Sequence, residues 1–338
     1  MRQRPDSSVI VIATCADDDY LPLVWPLARS IGLANGLGRA AVLHVFHPGA
    51  DHDLAARLNG LRVLRLRVEV HRVRMDETGL RRVGGLPPAT YLRLHLSDLL
   101  PHESRVIYLD TDTMAVRSLA PLFDADLRGN PIGAVLDILL ARPSVRLGTA
   151  CFSGPVPLYF QQVLGMPYDP DHFGYVNAGV LLMDLDQLRN ERFAERAIQR
   201  SRELAPITIW HDQDTINSML VGRITFLPTD WNVLPDSLLV DLEGPERVQA
   251  EFQRQARRQS IVHFAGTGKP WRFAAVPFAV RWQALALFSP AAKLMKWPGL
   301  GAYLVSRRIS FARRLARTNP RIFAIAFGLW KRWQRRTV

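Results

Sequence analysis

Asp110 and Asp112 stand two residues apart directly after the apolar run Val106-Ile-Tyr-Leu. If that run is a strand ending in a tight turn, both carboxylates can converge on one hard divalent cation, and carboxylate with phosphate oxygens suits Mg2+ or Mn2+. His263, at the end of another short apolar run, is a third candidate ligand, and one imidazole in the set tilts the choice toward Mn2+. Alone, an Asp-x-Asp is more often a solvated turn, and a lone histidine at a strand end is more often a hydrogen-bonded core residue than a ligand; the position after a fully apolar strand brings the two readings of Asp110 and Asp112 level. Asp17-Asp-Asp-Tyr20 gathers like charge after the first apolar run, which is costly unless a ligand, a cation or helix-terminal amides compensate. The competing reading is a cap for the helix that follows, with Tyr20 offering a ring on which a base could stack. Gly266, Gly268 and Lys269 form a small turn whose amides and ammonium could approach a diphosphate. Asp212-Gln-Asp214 opens a helical pattern, where carboxylates belong on electrostatic grounds alone.

These groups need elements that bring them together. Short β-branched runs at 8–14, 40–46, 62–70, 105–109, 132–136, 176–184, 224–227 and 261–264 alternate with helical patterns. The alternation predicts an α/β fold with a mainly parallel central sheet. The first run is apolar throughout and suits the sheet centre, whereas 62–70 alternates polar and apolar and should be wet on one face. Between the first two runs, a helix is expected over 21–33, with Pro22 near its start and Gly32 near its end. Open parallel sheets bind ligands outside the carboxyl ends of their strands, and those positions are acidic here: Asp17 to Asp19, Asp110 and Asp112, and Asp137.

The ordered series resembles glycosyltransferase family 8, the retaining, nucleotide-sugar-dependent transferases that include bacterial lipopolysaccharide and lipooligosaccharide galactosyl- and glucosyltransferases. It runs over residues 8–275 and comprises Ala16-Asp-Asp-Asp-Tyr20, Tyr91-Leu-Arg93-Leu, Val106-Ile-Tyr-Leu-Asp-Thr-Asp112 and Asp137. Tyr175-Val-Asn-Ala-Gly-Val-Leu-Leu-Met183, Asp212-Gln-Asp214, Trp231-Asn232 and His263-Phe-Ala-Gly-Thr-Gly-Lys-Pro-Trp271 complete it. The resemblance implies a GT-A type, Rossmann-like fold in which Asp110, Asp112 and His263 hold Mn2+, with Mg2+ as the alternative, against the diphosphate of a UDP-sugar. It places Asp17 and Tyr20 at the uracil end, and Gly266 and Lys269 at the phosphates, with Ala16 among the donor-binding residues. Thr111 and Ala178 join the donor-binding set, and Arg93, Asp137, Asn177 and Asp212 would meet the sugar hydroxyls. Gln213 would lie near the anomeric carbon as a catalytic residue, with Asp212 as the fallback nucleophile. Asp19 departs from the pattern, which expects Asn there. The reaction implied is hexose transfer, galactose or glucose, from UDP-hexose to a glycan or lipid-linked saccharide acceptor of the lipopolysaccharide type. Ile138 to Gly174, rich in Pro and Gly, is the expected acceptor loop.

Composition sets the bounds around this reading. The chain has 338 residues, 48% hydrophobic and 22% charged, which excludes a disordered or collagen-like polypeptide, and its two cysteines cannot make a disulfide framework. The formal net charge of +12 is unevenly placed: residues 252–338 contain 18 Lys and Arg and no acid, whereas residues 1–251 carry 25 basic against 31 acidic side chains. Within 303–317, Leu304, Ile309, Phe311 and Leu315 share one helical face and Arg307, Arg313, Arg314 and Arg317 the other. The longest late apolar run, Ile322 to Trp330, is nine residues, well short of the roughly 18 to 20 that span a bilayer. The expected organisation is therefore a catalytic domain over 1–275 and a basic amphipathic tail over 276–338 lying on an anionic membrane surface. Such large apolar groups among the arginines argue against nucleic acid, and docking on the body or a partner is the other reading. The polar N-terminal residues lack a signal-peptide pattern, so the expected location is cytoplasmic, peripheral on the inner face of the cytoplasmic membrane. Two other functions fit the same motifs: a non-catalytic donor-binding module tethered to membranes, and a nucleotide-sugar hydrolase.

Overall fold

In the computed structural model, residues 9–49, 51–74, 80, 88–140, 146–149, 152–167, 174–239, 246–266, 268–272 and 276–295 are described. The apolar runs become strands β1 (Val9–Cys15), β2 (Ala40–His47), β3 (Arg62–Val63), β4 (Leu66–Arg72), β5 (Arg105–Leu109) and β6 (Thr113–Ala115). Then follow β7 (Ile132–Leu136), β8 (Arg146–Gly148), β9 (Ser153–Pro155), β10 (Val176–Asp184), β11 (Ile224–Phe226) and β12 (Ile261–His263). Eight of them form one sheet in the order β11-β7-β10-β5-β1-β2-β4-β3. β1 pairs in parallel with both β2 and β5, and from Ile10 onward it is buried, as its uninterrupted apolar sequence demands.

The sheet is mixed in a way that builds the site. Ile12 lies opposite Ile107 in parallel register, so β1 and β5 emerge side by side and deliver 16–20 and 110–112 to one edge. β10 runs antiparallel between β5 and β7, which brings its amino end, not its carboxyl end, to the same edge: Val176 faces Leu136 and Val180 faces Leu109. Between Asn177 and Leu181 the pairing with β7 shifts, so Ala178 to Val180 bulge out of that ladder. β12 is not in the main sheet. It pairs antiparallel with β6, setting His263 opposite Thr113 and beside the turn that follows β5.

Local chemistry explains the departures from expectation. The run over 62–70 breaks at Leu64, whose φ is 55°, and folds back as the β3–β4 hairpin; in β4 Leu66 and Val68 are buried and Arg67 exposed, the expected wet face. The helix expected over 21–33 starts as a 3-10 turn at Leu21–Leu23, continues as Val24–Asn35 and ends at Gly36, with φ 58°. Gly32 does not end it. A Cβ there would lie 2.5 Å from the Val63 side chain, so its bareness lets the helix touch β3.

The expected acceptor loop is described in part. β8 and β9 form a hairpin, followed by a π-helical turn at Tyr159–Leu164 that Gly165 closes in the left-handed conformation. The described residues that follow the expected boundary at 275/276 pack on those before it. Helix Ala279–Ala286 lies on helix Val24–Asn35, Arg29 Nη1 donates to the Leu285 carbonyl at 2.7 Å, and the fully buried Trp282 stands 5.3 Å from Trp271. Residues 276–295 thus belong to the body, because their apolar side chains complete a cluster with Leu23, Met114 and Val262. The amphipathic stretches expected at 303–317 and 322–330 lie outside the described residues. Among the described residues, no helix is long and apolar enough to cross a membrane.

Truncating Trp282 to Ala should remove about 3–5 kcal/mol of stability, read from urea denaturation midpoints. A loss below about 1 kcal/mol would mean that this segment is peripheral after all.

Candidate active site

The turn after β5 is tight. Thr113 donates to the Asp110 carbonyl from its amide at 3.1 Å and from Oγ1 at 2.8 Å, which closes 110–113 and turns both aspartates inward. Each carboxylate commits one oxygen and keeps the other. Asp110 Oδ1 accepts from Tyr108 Oη at 2.7 Å and pairs with Arg93 at 2.8 Å; Asp112 Oδ2 pairs with Lys269 Nζ at 2.5 Å. The remaining oxygens face His263 Nε2, at 3.6 Å for Asp110 Oδ2 and 3.3 Å for Asp112 Oδ1. All three ligand atoms lie within 4.8 Å of one another, so this donor set fits a divalent cation with oxygen and imidazole ligands. Gly179 permits the approach, since a Cβ there would lie 2.1 Å from His263 Cε1.

Arg93 sits below this cluster on a 3-10 helix, Pro88–His95, that runs into the α-turn Leu96–Leu99. It is buried and joins three segments: Nε pairs with Asp212 at 2.9 Å, Nη2 with Asp110, and Nη1 donates to the Ala178 carbonyl at 2.8 Å. Burial opposes its charge, yet Asp110 and Asp212 hold the guanidinium protonated beyond its ordinary range. Burial pushes the Asp212 carboxyl up to about 6 despite Arg93 and the Thr90 hydroxyl, which donates at 2.9 Å. Asp112 moves the other way: burial would raise it, but Lys269 and His263 hold it well below the usual carboxylate range.

A cleft of about 560 Å³ opens over these groups. Cys15, Ala16, Asp17, Tyr20, Arg93, Asp110, Thr111, Asp112, Asp137, Asn177, Ala178, Asp212, Gln213, His263, Gly266 and Lys269 all line it. Cys15 apart, these are the residues that the resemblance assigns to the donor, the cation and the chemistry, whereas Gly268 and Asp214 are not part of the lining. Several are also engaged with the protein. Asp17 Oδ1 accepts from the Tyr20 amide at 2.8 Å, which closes the turn before the 3-10 helix without capping it, and burial raises its carboxyl and the Tyr20 phenol. Lys269 donates to the Phe264 carbonyl at 2.8 Å besides its bond to Asp112. Gln213 accepts from the Ala178 amide at 3.0 Å and donates to Tyr175 Oη at 3.2 Å and Asp137 Oδ2 at 3.4 Å. Asp19, the departure from the family pattern, is exposed outside the cleft lining.

The family model described as "Glycosyl transferase family 8" matches residues 11–275. The chain belongs to glycosyl transferase family 8. It is an enzyme of the hexosyltransferase class. Curated relatives include general stress protein A of Bacillus subtilis, 25% identical over 272 residues, covering 78% of this chain and 87% of that one. The lipopolysaccharide 1,2-glucosyltransferase of Escherichia coli is 24% identical over 288 residues, covering 83% and 78%. Among solved structures, the galactosyltransferase LgtC, determined with donor and acceptor sugar analogues, superposes with a TM-score of 0.69 at 24% identity, covering 86% of this chain and 98% of that one. The fold of this family 8 enzyme is accordingly GT-A.

Sequence reasoning missed Asp214, which it read as a helix cap. The carboxylate is fully buried and takes five bonds: from Tyr159 Oη at 2.5 Å, Tyr175 Oη at 2.7 Å, Thr208 Oγ1 at 2.7 Å and the amides of Ile209 and Trp210 at 3.0 and 2.9 Å. It thereby ties the segment before Asp212 to the π-helical turn. No local signal marks this, because the partners lie up to 55 residues away. Tyr108 was also missed, although the two-residue strand period puts it on the same face as Asp110.

Asp214→Ala leaves five donors facing a void and should cost about 3–5 kcal/mol, measured by chemical denaturation. A second expectation concerns pH. The folded enzyme holds the Asp212 proton up to about 6 whereas the unfolded chain releases it near 3.8, so between these values the folded state binds more protons and loses stability as pH rises. Asp212→Asn removes that slope, so its stability relative to wild type should improve by about 1–3 kcal/mol from pH 4 to pH 7. Parallel stability–pH curves for the two proteins would refute the assignment.

Proposed function

We propose that this family 8 enzyme transfers galactose or glucose, with retention, from UDP-hexose to a saccharide acceptor of the lipopolysaccharide type. The observation that carries the reading is the convergence of one uncommitted oxygen from each of Asp110 and Asp112 with His263 Nε2 at the floor of the cleft. Mn2+, or Mg2+, held by these three would offset the charge that develops on UDP as it leaves. Ala16, Asp17 and Tyr20 take the uracil end, and Thr111, Ala178, Gly266 and Lys269 border the ribose and diphosphate. Asp137, Asn177 and Asp212 meet the sugar hydroxyls, with Arg93 holding Asp212 in place.

Neither candidate nucleophile is idle. Asp212 is bound by Arg93 and Thr90, and the Gln213 amide oxygen by Ala178, which supports attack by the acceptor hydroxyl itself on the face that UDP leaves. The acceptor oxygen bonds to the anomeric carbon, the bond from that carbon to phosphate oxygen breaks, and the hydroxyl proton passes to the leaving phosphate. Gln213 lies close enough to Asp137 to help orient the sugar during this exchange. The acid-free residues beyond 295 hold 11 Lys and Arg among aromatic and aliphatic side chains, a composition that supports attachment to the inner, anionic face of the cytoplasmic membrane, where a lipid-linked acceptor would be met.

The test is UDP release from UDP-galactose and UDP-glucose with Mn2+, with and without a lipid-core glycan extract. Release that rises with the extract and falls at least about 100-fold in Asp112→Asn is expected, and the preferred sugar names the donor. Release independent of the extract would make water the acceptor and the chain a hydrolase. Release from neither sugar by folded protein would refute the donor assignment.

A further inference from the structure

Among the described residues, a second group of metal-ligating side chains lies on β2 and β4, namely His44, Glu69 and His71. Its two rings meet at 2.9 Å, but His44 Nε2 is buried without a partner, so a cation on His44 Nδ1 would strand an N–H there. Histidines that hold metals almost always donate their other N–H to a fixed acceptor. His263 meets that requirement, and the way it does so points to a residue given no role so far.

We propose that Asn232 is a positioning residue that fixes which nitrogen of His263 faces the cation, as the last link of a hydrogen-bond chain of single polarity. The proposal rests on the reading of Asp110, Asp112 and His263 as cation ligands. The chain begins at Asp137, whose Oδ2 lies 3.3 Å from Asn177 Nδ2. A carboxylate only accepts, so Asn177 turns its amide nitrogen to Asp137 and its oxygen away. The Gly179 amide donates to that oxygen at 3.0 Å, which requires the same orientation independently of Asp137. Asn177 Oδ1 also accepts from Asn232 Nδ2 at 2.8 Å, and this leaves Asn232 Oδ1 pointing at His263 Nδ1, 3.0 Å away. An amide oxygen cannot donate. Nδ1 therefore carries a hydrogen, and Nε2, turned to Asp110 and Asp112, is the nitrogen that can present its lone pair to a cation. Asn232, Asn177 and His263 are all buried, and Asn232 is not part of the cleft lining.

Mn2+ affinity, measured without nucleotide from the free-ion signal in electron paramagnetic resonance, tests the chain on the full-length protein. Asn232→Ala removes the acceptor and should weaken binding by about 10- to 100-fold. Asn232→Asp keeps an acceptor for Nδ1–H and should stay within about threefold of wild type, the rescue that a packing role would not show. An unchanged affinity in Asn232→Ala, or equal losses in both variants, would overturn the proposal. If Asn232→Ala does not fold, the nitrogen spectrum of the metal-free wild type decides, with His263→Gln for assignment: Nδ1 should carry a proton, and a bare Nδ1 overturns the proposal. Wild-type protein that takes up no Mn2+ would instead refute the cation reading, and that spectrum would still report on the chain.

Discussion

Taking a guanidinium out of water costs several kcal/mol unless carboxylates meet it with good geometry, and Arg93 is only 6% exposed. It stands 4.6 Å over the ring of Tyr108 with Asp110 and Asp212 paired to it, so its charge is the fixed point around which two acids are arranged. Lys269 does the same for Asp112. Because each cation engages one oxygen of its partner, the other oxygens of Asp110 and Asp112 can stand close together beside His263 without prohibitive repulsion. Three carboxylates against two side-chain cations leave the cluster one positive charge short, a deficit of the sign that a bound cation would offset.

The sheet supplies the geometry this arrangement needs. Parallel β1 and β5 bring two acidic strand ends to one edge, and the antiparallel β10 adds the Asn177 to Gly179 bulge beside them. Had β10 run parallel, its amino end would lie at the far edge and neither the Ala178 carbonyl nor the bare Gly179 could meet Arg93 and His263. The small β6–β12 sheet completes the set by carrying His263 back to the β5 turn. One site is thus assembled from segments more than 150 residues apart, each delivered by an element whose own burial fixes its register.

The apolar runs made the strands legible almost residue by residue, since period and β-branching are local properties. The acids at their ends made the site legible for the reason that open α/β sheets bind outside carboxyl termini. Strand direction was not legible: β10 reads as one continuous apolar run whichever way it points. Nor was the small β6–β12 pairing, nor the break at Leu64, where a positive φ at a leucine has no sequence signature. Within the site, the residue types that converge were visible but their support was not. Asp214 and Asn232 act through partners distant in sequence, so the first looked like a helix cap and the second like part of a motif without a role.

The price of this arrangement is visible at His211. Its backbone, at φ 49° and ψ −113°, is strained for a residue with a side chain, at a cost of about 1–3 kcal/mol, and it immediately precedes Asp212. The strain persists because both flanks are held. On one side Asp214 grips the amides of Ile209 and Trp210; on the other, helix Asp212–Met219 is anchored by Asn217, which accepts from the Val176 amide and donates to the Val176 carbonyl. A relaxed residue at 211 would lead the chain into the helix at another angle and turn Asp212 and Gln213 away from Arg93 and Ala178. The buried carboxylate of Asp214 therefore does more than stabilise its surroundings: it holds a strained turn in the one conformation that puts two adjacent side chains at the bottom of the cleft.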